Sequence, residues 1–292
     1  MHVNDVLADH VVASMGRIPT VLLVGPDARR FANGMFTNNV RDLPVGGSQR
    51  TGLTDDRGRL WALAELHALG EERFLLHLDG RTEAEALERY DAYVVFDDVV
   101  LEGGTVSACT VQGPRAAQVL GDHGIPIPAP GAHVLRGELL VVARDRCGLG
   151  GFDLYGPCGL APHPGGRHVV DALEIGAAQV RMADVVPPGL PHEHGLRDAI
   201  LHFEKGCYLG QEAIHRLEVQ GTPRRGLAVV AGEGLAPGGL VAEGREQGRV
   251  TRVATGADGV PVGLAVLRKP HDAVGSELEQ GGRAVRVVSP RG

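Results

Sequence analysis

Two ten-residue stretches, "GPDARRFANG" at 25–34 and "GPRAAQVLGD" at 113–122, share Gly, Pro and Ala at matching positions 88 residues apart. Each follows a β-rich run, "IPTVLLV" or "TVSACTVQ", and each opens a helical pattern. Pro26 suits a first helical turn, where the amide hydrogen it lacks would be unbonded anyway. The spacing reads as a duplicated strand–helix unit, so the chain must build two similar halves. Between the copies, "GSQRTGLTDDRGRLWALAELHAL" and "ERFLLHLDG" read as antiparallel strands turning at "DDRG". "RTEAEALERYDAYV" (81–94) has helical spacing with acids early, as a helix N-terminus favours. After the second copy, "HVLRGELLVVARDRCG" and "GFDLYGP" supply strands and "GRHVVDALEIGAAQV" (166–180) a helix. Strands and helices mixed with hairpin turns indicate an α+β fold rather than a doubly wound parallel sheet. From Arg225 the texture changes to short alternating strands broken by Gly and Pro. About six strands there fit a small closed β-barrel, with the boundary in "VQGTPRRG" (219–226).

A chain of 292 residues, 43% apolar, can bury cores for two or three domains without disulfides. The formal charge of −7, spread without long runs, argues against coating nucleic acid or a membrane surface. No apolar stretch reaches the ~18–20 residues of a membrane span. The opening "MHVNDVLADH" has acids where a signal peptide carries basic residues, so the chain reads as soluble and cytoplasmic. Cys109, Cys147, Cys158 and Cys207 are scattered with no C-x-x-C pair, which makes each by default a small buried hydrophobe.

Cys207 has neighbours that argue otherwise. In "HFEKGCYLGQEAIHR" (202–216) it lies two residues after Lys205 and just before a helical pattern that begins near Gly210. Of 29 basic residues only Lys205 and Lys269 are lysine, so an ammonium rather than a guanidinium is wanted beside the thiol. A thiol near an ammonium and a helix N-terminus holds more thiolate, the form that attacks disulfides, binds soft metals or reacts with one-carbon electrophiles. Gly206 and Gly210 would let the backbone approach a ligand or take positive φ. The competing readings are a thiol that only packs in a glycine-lined turn, and a metal site using His192, His194, His202 and His215. That histidine spacing fits no closed zinc site, so no metal ligands are assigned.

"KGCYLGQE" (205–212) resembles the K-G-C-Y-x-G-Q-E signature of the YgfZ-type folate-binding proteins, relatives of the glycine-cleavage aminomethyltransferase GcvT. "GPDARRFANGMFTNNVRDLPVGG", "PHEHGLRDAILHFEKGCYLGQE" and the C-terminal strands extend the resemblance over nearly the whole chain. It implies two related sheet-plus-helix domains around a central folate-sized hole, plus a C-terminal barrel. The expected divisions are 1–104, 105–178, a signature segment 179–224 packing back on the first domain, and a barrel over 225–292. It also implies a tetrahydrofolate-binding accessory protein for assembly or maintenance of iron–sulfur clusters, with reduced folate and iron–sulfur proteins or their assembly factors as partners. Cys207 and Lys205 would then be the working pair.

The sequence departs from the family at two places. Where the family has R-x-E-x-G, this chain reads "RMADVVP" (181–187), with Ala183 at the acid's position and Asp184 following. The T-N-D-V turn reads "TNNV" (37–40), without its carboxylate. A pterin presents a donor edge that a carboxylate binds in bidentate fashion, and it needs a flat wall and a cation for its glutamate tail. Asp184 or Glu193 would supply the acid, Tyr208 the wall, and Arg181 or Arg216 the cation, with Gly210, Gln211 and Glu212 completing the site. The plainer reading of Glu212 and Arg216 is an i, i+4 surface pair. The alternative function is a folate-dependent aminomethyltransferase, against which stand the chain length and the K-G-C-Y residues.

Overall fold

The computed structural model describes residues 2–289, so Met1 and the last three residues of the expected barrel span lie outside the described residues. The first unit runs α1 (Val3–Ala8), β1 (Val11–Val24), α2 (Ala28–Met35), β2 (Ser48–Thr54), β3 (Leu60–Gly70), β4 (Arg73–Asp79) and α3 (Glu83–Asp91). The second repeats it with β5 (Val100–Gln112), α4 (Ala116–Asp122), β6 (His133–Arg136), β7 (Leu139–Ala143), β8 (Gly151–Tyr155) and α5 (Gly166–Gly176). The strands form one eight-stranded sheet in the order β2-β3-β4-β1-β5-β8-β7-β6, so the two halves have the same internal order. In these two units α1 and the first half of β1 go beyond the expected elements.

The duplication is visible in backbone detail. β1 and β5 lie antiparallel over their whole length, from Val11↔Gln112 to Val24↔Val100, as a local two-fold axis requires. Gly25 and Gly113 take φ of +140° and +123°, and a Cβ on either would strike the carbonyl of Asp98 or Asp9, respectively. The amide of Asp27 donates to Asp98 O and that of Arg115 to Asp9 O, at 3.2 and 3.1 Å. Each repeat's turn therefore docks on the residue leading into the other's first strand. This close approach is why glycine stands in both copies.

The sheet curls until its edges meet. Gly47 and Ala132 form a bridge, Ser48 N donates to Gly131 O and His133 N to Gly46 O. Alternation then sorts residues to two sides. Ala62, Ala64, Leu66, Phe74, Leu76 and Leu78 pack outward with Phe31 of α2 and Ala86 and Tyr90 of α3. Leu75, Ala108, Leu140, Val142 and Tyr155 gather on the inner side.

After α5 come two 3-10 turns, Met182–Asp184 and Pro191–His194, then α6 (Arg197–Ile200) and α7 (Gln211–Gln220). β9 (Arg225–Ala231), β10 (Gly238–Ala242), β11 (Arg245–Thr255), β12 (Pro261–Arg268), β13 (Glu277–Gln280) and β14 (Arg283–Val288) close a six-stranded barrel with its own apolar core. Among the described residues no helix is long and apolar enough to cross a membrane.

Candidate functional site

The hollow of the curled sheet encloses a cavity of about 240 Å³. Inward positions on β2, β3 and β4 bring Arg50, Glu65 and Asp79 to its wall, and Arg144 joins them just past the end of β7. Arg146 comes from the loop before β8, and Glu174 and Arg181 come from α5 and the segment after it. Arg146 donates to Asp153 (2.6 Å from Nη2) and to Glu174 (3.1 Å), and Glu174 also takes Arg181 and, at 2.8 Å, Arg252 of β11. Burial alone would push the Glu174 carboxyl up, but these three guanidiniums outweigh it and hold it at about 2. Glu65 is 3.1 Å from Arg144 and 3.8 Å from Arg50.

Asp79 differs from the other acids. Its Oδ2 accepts the amide of Met182 at 2.8 Å, and no ion pair reaches its carboxylate among the described residues. Burial raises its pKa, against the pull of that amide and of Arg50, Arg146 and Arg181. Half-buried on the cavity wall, this carboxylate keeps acceptor capacity that a ligand's donors could use. Beside it lies a flat surface, where the His77 ring stacks on Tyr155 at 3.6 Å between centroids and 9° between planes. Behind His77 runs a chain of hydrogen bonds through His67 (2.9 Å), Ser48 (2.7 Å) and His133 (3.0 Å). Burial lowers the pKa of all three histidines, His77 to about 3, so this chain is uncharged near neutral pH.

The signature segment forms a second site on the surface. Cys207 is exposed and lines a groove of about 480 Å³ with Phe203, Tyr208, Gln211, Glu212 and Arg216. The cavity and this groove share no lining residue. Lys205 is buried to 1% exposure and its ammonium donates to the carbonyls of Asn33 and, at 2.7 Å, Phe36, at the C-terminal end of α2. It also sits 4.6 Å from the centroid of the Tyr208 ring. Burial, with Arg41 nearby, pushes it down to about 7. No hydrogen bond joins it to the Cys207 sulfur among the described residues. A compact cation closing a helix end explains why arginine, with its planar fork, does not stand here.

The other sequence-derived site residues scatter. Arg181 lines the cavity, but Asp184 points away, buried against Thr251 (3.0 Å) and Arg252 (3.0 Å), so it is not a free pterin ligand. Glu193 lies in a different cleft with Arg224, Arg225 and Lys269. Gly210 has φ +80°, and a Cβ there would strike the Asp55 carbonyl, so this glycine serves the docking of the signature on the β2–β3 turn rather than a ligand. Gln211 accepts the amide of Tyr208 at 3.1 Å. In the "TNNV" turn, Thr37 Oγ1 donates to Ile200 O at 2.6 Å and accepts from Gly52 N at 2.8 Å, which ties the signature region to the first unit. No sequence motif marks Asp79, Glu65, His77, Tyr155 or, among the cavity arginines, Arg50, Arg144 and Arg146. Their signal was strand parity: Glu65 and His67, like His77 and Asp79, are two apart on one face.

A curled, duplicated sheet joined to a six-stranded barrel is a GcvT-like fold. Residues 4–124 match the GCVT N-terminal domain family. The chain is 25% identical over 281 residues to the "tRNA-modifying protein YgfZ" of Vibrio atlanticus, covering 90% of this chain and 86% of that protein. It is 24% identical over 299 residues to an aminomethyltransferase of Mycobacterium leprae, covering 92% and 82%. The crystal structure of the glycine cleavage system aminomethyltransferase T from Bartonella henselae superposes with a TM-score of 0.85 at 21% identity, covering 98% of this chain and 87% of that one. The chain is thus similar to YgfZ-named proteins and aminomethyltransferases in sequence and shares the GcvT fold.

Proposed function

We propose that this chain binds a reduced folate in the central cavity and serves as an accessory protein for iron–sulfur enzymes through the exposed Cys207. The observation that carries the folate reading is Asp79, a half-buried carboxylate with a single hydrogen bond on the same cavity wall as the stacked His77 and Tyr155 rings. A pterin's donor edge suits the spare oxygens of Asp79, and its ring suits the flat wall. Asp79 is held by the amide of Met182, next to the Ala183 that stands where the family carries its acid. It thus offers the missing charge from a different strand. At about 240 Å³ the cavity is smaller than the ~300–1,000 Å³ that encloses a whole drug-sized ligand, so the ring end enters and the acidic tail stays at the mouth. Arg167 and Arg181, both on the cavity wall, are the cations for that tail.

The iron–sulfur role is supported by the K-G-C-Y resemblance and by the exposure of Cys207 alone among the four cysteines. In this reading the thiol works at a client's surface and not on the folate, because the two sites share no wall. Lys205 positions the loop by anchoring it to the end of α2.

Calorimetry with tetrahydrofolate tests the first half: binding by the unaltered chain and its loss in Asp79→Asn support it, and no heat from the unaltered chain refutes it. In cells that depend on this chain, Cys207→Ser should lower the activity of iron–sulfur enzymes without changing folate affinity. Production of methylenetetrahydrofolate from an aminomethylated carrier protein would favour the aminomethyltransferase instead.

A further inference from the structure

Cys109 and Cys158 are 49 positions apart in the chain, yet their sulfurs lie 3.1 Å from each other. Cys109 is on the outward face of β5, 5% exposed, opposite Leu154 in the β5–β8 register. Cys158 is half-buried and sits just past β8, between Gly156 (φ +111°) and Gly159 (φ +71°), which turn the chain back over the sheet. Both thiols border the apolar cluster of Val111, Leu120, Leu139 and Leu154. Nothing in the folate or client reading uses them.

We propose that Cys109 and Cys158 are a dithiol–disulfide couple, oxidised by a low-molecular-weight disulfide of the glutathione type, that fastens the loop 156–165 to β5. The roles divide by exposure. Cys158, which solvent reaches, attacks one sulfur of the oxidant, forming a mixed disulfide and expelling one thiolate. Cys109 then gives up its proton and attacks the Cys158 sulfur, and the second thiolate leaves. Two protein thiols lose two electrons and two protons, and the oxidant is reduced to two thiols. The charge bias runs the same way. The hydrogen bond between the two sulfurs, with the amide of Leu160 adding, lowers the Cys158 thiol, whereas that contact and burial raise the less exposed Cys109. The fastened loop leads directly into α5, which carries Glu174 to the cavity wall.

The test incubates the full chain with oxidised glutathione, quenches in acid, alkylates and maps peptides. The expected product is a Cys109–Cys158 linked peptide, with both residues lost to alkylation and a separate glutathione adduct on Cys207. Cys109→Ser should leave a stable glutathione adduct on Cys158, and Cys158→Ser should leave Cys109 fully alkylatable. Should Cys109→Ser not fold, Cys158→Ser, at the more exposed position, decides alone. The same linkage should form in Cys207→Ser, excluding relay from the exposed thiol. A persistent adduct on Cys158 of the unaltered chain, or both thiols still alkylatable at full oxidation of Cys207, overturns the proposal.

Discussion

The central cavity and the Cys207 groove hold polar groups by opposite means. The cavity is assembled from residues of β2, β3, β4, the β7–β8 loop and α5, far apart in the chain, and most of its charges are cross-linked by ion pairs. The groove comes from one continuous stretch, and its thiol and its acid, Glu212, face solvent. A contiguous motif stands out in a sequence because it is contiguous, not because it is where most chemistry is concentrated. Here the motif marks a docked loop with one exposed thiol, while the carboxylate with spare acceptor capacity, Asp79, is elsewhere.

The difference is sharpest in what a substitution costs. Arg146→Met leaves the buried Asp153 without its cation while Glu174 keeps Arg181 and Arg252, and losing the partner of a buried charge costs about 3–5 kcal/mol. Urea unfolding should show that loss, whereas Cys207→Ser, at an exposed position, should stay within ~0.5 kcal/mol of the unaltered chain. Equal effects would erase the contrast between the two regions.

For ligand binding, Asp79→Asn removes a charged acceptor worth about 1.5–3 kcal/mol and should weaken tetrahydrofolate by roughly 10- to 100-fold. Glu212→Gln in the groove should leave that affinity unchanged. The reverse pattern in calorimetry would move the folate site to the signature.

The pH dependence separates them further. Glu174 is held at about 2 in the folded chain against an ordinary 4.5, so its stabilisation is present above 4.5 and lost as pH falls towards 2. Lys205 loses its proton near 7 when folded and near 10.5 when unfolded. Between those values the unfolded chain holds more protons, so stability rises with pH. Unfolding series at pH 7 and 10 should show this rise, and Lys205→Met should flatten it. A smaller effect concerns rate alone: Cys207 should alkylate before the buried Cys109 and Cys147 at neutral pH.

Much of the architecture was legible from the chain. The Gly-Pro-x-Ala repeat carried the two-fold relation of β1 and β5, because glycine is obligatory where each turn meets the other repeat's lead-in. Gly/Pro punctuation after Arg225 carried the barrel. The site was less legible. Asp184 looked available in "RMADVVP", but Thr251 and Arg252 of the barrel reach it across the fold, a pairing that no local pattern encodes. Lys205 drew notice as one of two lysines, yet its role lies in carbonyls of α2 some 170 residues earlier. Asp79 was passed over because one acid at a strand end is unremarkable until curling of the sheet turns it inward beside His77.

The central claim is that ligand recognition resides in the cavity and not at the signature. Hydrogen–deuterium exchange with and without tetrahydrofolate reads it directly. Slowed exchange at residues 77–80 and 180–182, with 203–216 unchanged, is the predicted result. Slowing confined to 203–216 would contradict it.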